Sequence, residues 1–387
     1  MLNRRFLRVK AMQAVYAYRQ KQESNFNLAL EQIDEDFQPD LNSMEPPNMP
    51  RLRANKRDAK QAFRQGYQKR KLKNSLTPEV LDSVTRAVDG YYNQLREDRK
   101  RIQQQMLADV EEITHSYFAI LAFVIELKEY IGRLKVRHDK NPDMVMVESH
   151  YKLGDSVFLE ALSNTEDITK EIAKRSISWK GDDSLVKRVY KNQFDSNERY
   201  AEFIATLESD FEANQKIMHY LIRKVLFKHE DFLSHFEEND PHWSENEDVV
   251  LSMLVKTFKG MVAGKPVELA PLSQNWKADK AFFTELFDEV IDNSDELDEI
   301  VKDKLKNWEL DRVAMMDKII LEMAIAEMTH FSNIPIKVTI NEFIELSKNY
   351  STPKSKQFVN GVLDVVSKEL TQSGKIKKSG RGLIDNQ

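Results

Sequence analysis

The chain has 387 residues, 41% of them apolar and 31% charged, with a net charge of −5 and no cysteine. That length allows two or three domains. The missing cysteine excludes disulfides, thiolate metal sites and cysteine nucleophiles, and the charge balance confines nucleic-acid contact to local basic patches. Eleven glycines and eleven prolines suit long helices better than a many-turned sheet.

The first residues, MLNRRFLRVKAMQAVYAYRQ, predict an amphipathic helix over 4–19, with Leu7, Ala11, Ala14, Val15 and Tyr18 on one side. The stretch lacks the apolar core of a signal peptide. Arg4, Arg5, Arg8 and Lys10 crowd its start, where cations oppose the helix dipole, so an anionic partner would explain them. Residues 38–53 hold four prolines and read as a loop or linker. Residues 51–73 carry ten Lys or Arg against one acid, Asp58. Two readings stand for them: a solvated basic linker, or an auxiliary phosphate-binding arm.

From Thr77, a candidate N-cap followed by Pro78 at N1, helical patterns dominate. A helix over 77–95 precedes a long buried one over 106–134, interrupted afterwards by Asn141-Pro142 and Gly154. The greasiest stretch, YFAILAFVIEL at 117–127, contains Glu126 and falls short of the roughly 20 apolar residues a bilayer requires. A soluble cytoplasmic protein is therefore expected. Residues 183–236 give further helices, and Asp240-Pro241 closes the central region. His229, His235 and His242 do not share a helix face as i, i+4 metal ligands would. No P-loop or Gly-x-Gly-x-x-Gly pattern occurs, and no cofactor, metal or catalytic constellation is expected.

The last third predicts helices over 244–260, 279–292, 295–306, 311–330 and 336–349. In the fourth, Val313, Met316, Ile320, Met323 and Ala324 form the core stripe. Thr352-Pro353 opens a final helix. Val359, Val362, Leu363, Val366 and Leu370 run at helical spacing straight across Asn360-Gly361, which alone would signal a hairpin. Gly361 then costs about 1 kcal/mol relative to alanine, a cost that close packing or a ligand would explain. The fold class is all-α.

Three segments resemble the NusB family of transcription antitermination factors: RVKAMQAVY (8–16), DRVAMMDKIILEMAIAEM (311–328) and IPIKVTINEFIELSKNYSTPKSKQFVNGVLD (334–364). The resemblance implies a pair of three-helix bundles with an inserted helical region. Residues 1–20 would supply the first helix and 245–370 the remainder. Residues 21–244 would form the insertion, with its basic linker at 51–73, and 371–387 a basic flexible tail. It also implies a function without catalysis: binding boxA-type RNA of nascent ribosomal transcripts together with the ribosomal protein NusE, in the antitermination complex of RNA polymerase. An RNA cytosine methyltransferase is excluded for want of a cofactor domain and a cysteine. A scaffold or ribosome-assembly factor that keeps the fold without boxA binding is the alternative.

Phosphate recognition needs cations, and unstacked bases need flat side chains. By resemblance, Arg4, Arg5, Arg8, Lys354, Lys356 and Phe358 are the expected RNA contacts, with Lys337 a further cation or simply a solvated one. Phe358 has a stacking role or a packing role. Phe6 stands where relatives often carry arginine, and would add a stacking surface. Tyr16 and Asp317 match positions that contact NusE.

Overall fold

The computed structural model describes residues 2–40, 46–68, 76–140, 151–179, 183–194, 197–206, 210–304 and 314–384. Among them no strand occurs. In chain order the helices are α1 (Arg4–Asp36), α2 (Met49–Gly66), α3 (Pro78–Asp139), α4 (Val157–Ser163), α5 (Glu166–Lys174), α6 (Asp183–Val189), α7 (Glu198–Ala205), α8 (Phe211–Lys224), α9 (Glu230–Asn239), α10 (Trp243–Gly260), α11 (Trp276–Asp292), α12 (Ser294–Lys304), α13 (Met315–His330), α14 (Ile336–Tyr350) and α15 (Ser355–Gln372). The expected break at Asn141-Pro142 and the stripe residue Val313 lie outside the described residues.

The chain forms two compact units. One comprises residues 1–3 and Ala108–Lys277; the other comprises Arg4–Leu107 and Ala278–Gln387. These limits differ from the sequence divisions at 20/21 and 244/245. α1 and α3 are also longer than their amphipathic cores suggested. α1 continues 17 residues past position 19, and α3 runs unbroken through both helices expected between 77 and 134.

The first unit has an aromatic core. Trp179 donates its indole N–H to the Ala119 carbonyl at 2.8 Å, Phe123 meets Trp179 and Phe232 edge-on, and Phe236 stacks on Trp243. The three histidines serve this packing separately: His229 Nδ1 caps α9, His235 lies against Trp179, and His242 faces Asp109 at 3.4 Å.

The second unit holds the candidate site. The C-terminal half of α1 packs with α2 and the start of α3. Asp34 takes Lys60, and Asn25 donates to Asp98 at 2.8 Å, while Phe26, Phe63, Tyr67 and Tyr91 form one aromatic cluster. Residues 51–66 are thus not a linker but most of a packed helix. Asn55, Ala59, Phe63 and Gly66 face inward: a four-position buried stripe hidden among the charges, apolar except for Asn55, whose amide donates to Glu79 at 3.0 Å.

The N-terminal half of α1 lies on α13, which is surrounded: every residue from Ile319 to Met328 is buried. The single core stripe expected there is corrected to a helix buried on all sides. Two carboxylates lie within that buried run, and α1 supplies an arginine to each. Arg8 forms a bidentate pair with Glu327 at 2.7 and 2.8 Å, and Arg19 reaches Glu322 at 2.9 Å. Burial pushes the Glu322 carboxyl above its ordinary pKa, while Arg19 pulls it back.

The tail also departs from expectation. Residues 371 and 372 finish α15, Gly374 turns the chain at φ +71°, and the following residues pack. Ile376 is buried. Ser379 N–H donates to the Ser332 carbonyl at 2.9 Å, Lys378 Nζ to the Phe331 carbonyl at 2.9 Å, and a Cβ at Gly382 would collide with Ser332 O. Through residue 384 this segment is a strap rather than a flexible tail; its apolar anchor, Ile376, is a lone residue among cations.

Candidate nucleic-acid interface

The start of α1, the middle and end of α14 and the start of α15 bring residues from both ends of the sequence together. α14 starts after Pro335, whose fixed φ suits a helix start. α15 starts at Ser355, two residues later than the Thr352-Pro353 signal placed it. Thr352 N–H donates to Ser355 Oγ at 3.2 Å, and Ser355 Oγ donates to Asp317 Oδ2 at 2.7 Å. That second bond ties the first turn of α15 to the first turn of α13.

Arg5 and Lys356 line one pocket of about 490 Å³. Lys348 shares it, with the amides of Asn341, Gln357 and Asn360, the carboxylate of Glu345 and an apolar Ile344. Arg5 is half exposed and holds Glu342 in a fork at 2.9 and 2.8 Å, which raises its pKa above the ordinary guanidinium value. Lys348 pairs with Glu345. Lys348 holds the Glu345 carboxyl below its usual range, with smaller contributions from Arg5 and Lys356. Lys356 is exposed and makes no ion pair among the described residues. Three cations and three amides around one opening can neutralise phosphates and hydrogen-bond to base edges.

The other expected contacts are placed differently. Arg8 is 2% exposed and its charge is committed to Glu327, so it presents nothing to a ligand; its assignment as an RNA contact is corrected. Phe6 is buried and offers no stacking face. Arg4 lies over the Phe282 ring, 4.7 Å from its centroid, and does not line the pocket. Lys337 and Lys354 are exposed, but they too lie outside the pocket lining. Phe358 is half-buried on α15. Tyr16 is 40% exposed. Asp317 is 6% exposed, not a surface aspartate. One of its oxygens holds Ser355, and the other has no hydrogen-bond partner among the described residues.

Sequence reasoning missed Asn341, Glu345, Lys348, Gln357 and Asn360. Their signal was present as polar residues at i, i+4 and i+7 on α14, and at i, i+1 and i+4 from Lys356 on α15, off the core stripe.

A sequence model of the NusB family matches residues 260–368. The transcription antitermination protein NusB of Bacillus subtilis is 42% identical over 92 residues, which are 24% of this chain and 70% of that protein. The chain belongs to the NusB family. The NusB proteins of Chloroherpeton thalassium and Salinibacter ruber are 45% and 44% identical over 106 and 103 residues. This chain spans 50% and 64% of their lengths, and each match covers 27% of this chain. A solved structure titled as NusB of T. maritima is 25% identical and covers 42% of this chain and 95% of its own, with a TM-score of 0.24. The α14 and α15 sides of the pocket fall inside the NusB-family match. Arg5 and Tyr16 fall outside it and join the family region through the folding of α1.

Proposed function

We propose that this protein is a non-catalytic, RNA-binding transcription antitermination factor. In this reading it binds boxA-type RNA of nascent ribosomal transcripts together with NusE, within the antitermination complex of RNA polymerase. The relatives that carry the family match are named transcription antitermination proteins. The observation that carries the reading is the pocket in which Arg5 and Lys356, from opposite ends of the chain, meet three amide side chains. Lys356 offers an uncommitted ammonium, and Arg5 exchanges Glu342 for a phosphate. The amides read unstacked bases, and Phe358 at the edge of the core supplies a ring. Lys337, Lys354 and Arg4 add outlying charge. Tyr16, exposed on α1, is the NusE contact; buried Asp317 acts by fixing the start of α15. No described helix is long and apolar enough to cross a membrane, and the reading places the protein in the cytoplasm with its transcripts.

Titration of boxA RNA against the full chain over a range of salt tests this. Log K is expected to fall with log salt by about 0.7 per neutralised phosphate. The variant Arg5→Glu with Lys356→Glu is expected to lose binding while keeping its far-ultraviolet circular dichroism. Wild-type affinity in that variant refutes the pocket, and a salt-independent wild-type response favours the scaffold alternative.

A further inference from the structure

The basic segment at 51–66 is left unused by the pocket. α2 carries Arg51, Arg53, Lys56, Arg57, Lys60 and Arg64 against the single acid Asp58, in a protein whose net charge is −5. The fold uses half of these cations internally. Lys56 and Lys60 both reach Asp34 of α1, and Arg51 reaches Glu79 of α3. The other three are exposed. Arg53 and Arg64 make no ion pair among the described residues, and Arg57 has only its exposed neighbour Asp58 at 3.1 Å, a pair of negligible strength.

At 3.6 residues per turn, Arg53, Arg57 and Arg64 fall within about 40° of one another, and the second and third lie ~6 and ~16 Å along the axis from the first. They form a straight guanidinium ridge facing away from the Asn55, Ala59 and Phe63 stripe that seats α2. No acid occupies the first turn of the helix, although the dipole favours one there. Internal stability does not account for the ridge.

We infer that this ridge is a second RNA-binding surface, contacting the phosphodiester backbone of a single strand. Guanidinium forks match phosphate geometry, and backbone contact needs only such a row of cations. A protein partner would call for aromatic or aliphatic anchors at the centre of the patch, and the ridge has none: Ala59 and Phe63 are buried, Leu52, Ala54 and Ala62 are half-buried, and the exposed Met49 and Pro50 lie in the first turn, ahead of Arg53. The choice of RNA over another polyanion rests on the function proposed above; the ridge itself does not depend on the pocket.

The test compares four full-length proteins binding a fluorescein-labelled single-stranded RNA across salt: wild type, Arg53→Gln/Arg57→Gln/Arg64→Gln, Arg5→Glu/Lys356→Glu, and the combination. The ridge variant is expected to lower the log–log salt slope by about 2, three contacts at about 0.7 each, in both backgrounds. Unchanged slope and affinity in the ridge variant overturn the inference, whatever the pocket variant does. A ridge effect beside a pocket variant that binds like wild type supports the ridge and refutes the pocket. Poly-glutamate that displaces the RNA as well as unlabelled RNA does overturns the RNA assignment in favour of an acidic protein. If the triple variant does not fold, Arg64→Gln alone is expected to lower the slope by about 0.7.

Discussion

Arg8 and Lys356 show how little a cation's identity says about its role. Both were expected RNA contacts by resemblance, yet Arg8 is buried against Glu327 and Lys356 is exposed in the pocket. Removing one partner of a buried pair strands the other charge and costs about 3–5 kcal/mol. Arg8→Met is therefore expected to lower the melting temperature sharply, and Arg8→Met with Glu327→Met to recover most of the loss, as thermal denaturation would show. Lys356→Gln is expected to do the reverse: an unaltered melting temperature, and an RNA salt slope lower by about 0.7. The crowding of Arg8 with Arg4, Arg5 and Lys10 at the start of α1 suggested an anionic partner. The acid that would meet it, 319 positions away, was not legible from spacing.

At the scale of elements, α15 answers one question and raises another. Asn360-Gly361 is helical, as the unbroken apolar spacing across it predicted. Yet nothing lies within 4 Å of a Cβ built on Gly361, so intramolecular packing does not explain the glycine. Gly361→Ala is expected to stabilise the protein by about 1 kcal/mol, read as a higher denaturation midpoint at an unchanged denaturant slope; a destabilisation would reveal an unseen neighbour. The C-terminal strap carries its own signature. Burial pushes the Lys378 amine down to about 8 from 10.5. Between those values the unfolded chain binds more protons than the folded one, so stability rises with pH through that window and is flat below it. Hydrogen exchange of residues 374–384, corrected for the intrinsic rate, is expected to slow relative to α15 from pH 8 towards 10. Lys378→Met should abolish that dependence. Charge-rich composition suggested a flexible tail because hydrogen bonds to the carbonyls of residues 331 and 332 leave no mark in local sequence.

For the whole molecule, two compact units joined through a continuous α3 are not expected to unfold as one. Scanning calorimetry should give more than one transition, or a calorimetric enthalpy above the van't Hoff value; a single transition with equal enthalpies would show that α3 couples the units into one cooperative body. Chain-wide charge is equally uninformative about function. A net charge of −5 coexists with a basic pocket and a basic ridge, because Debye screening over about 8–10 Å makes local charge the quantity a ligand meets.

By itself the amino-acid order determined the helical class, most helix positions and the family likeness, because these depend on apolar spacing and motif text over tens of residues. It also marked the cations at both ends of the chain. Only the tertiary structure decided which of them are spent. Arg8 is buried in an ion pair, Lys56 and Lys60 are taken by Asp34, and Arg5 and Lys356 share a pocket. Burial and pairing are properties of residues brought together from distant parts of the chain, and no local periodicity encodes them.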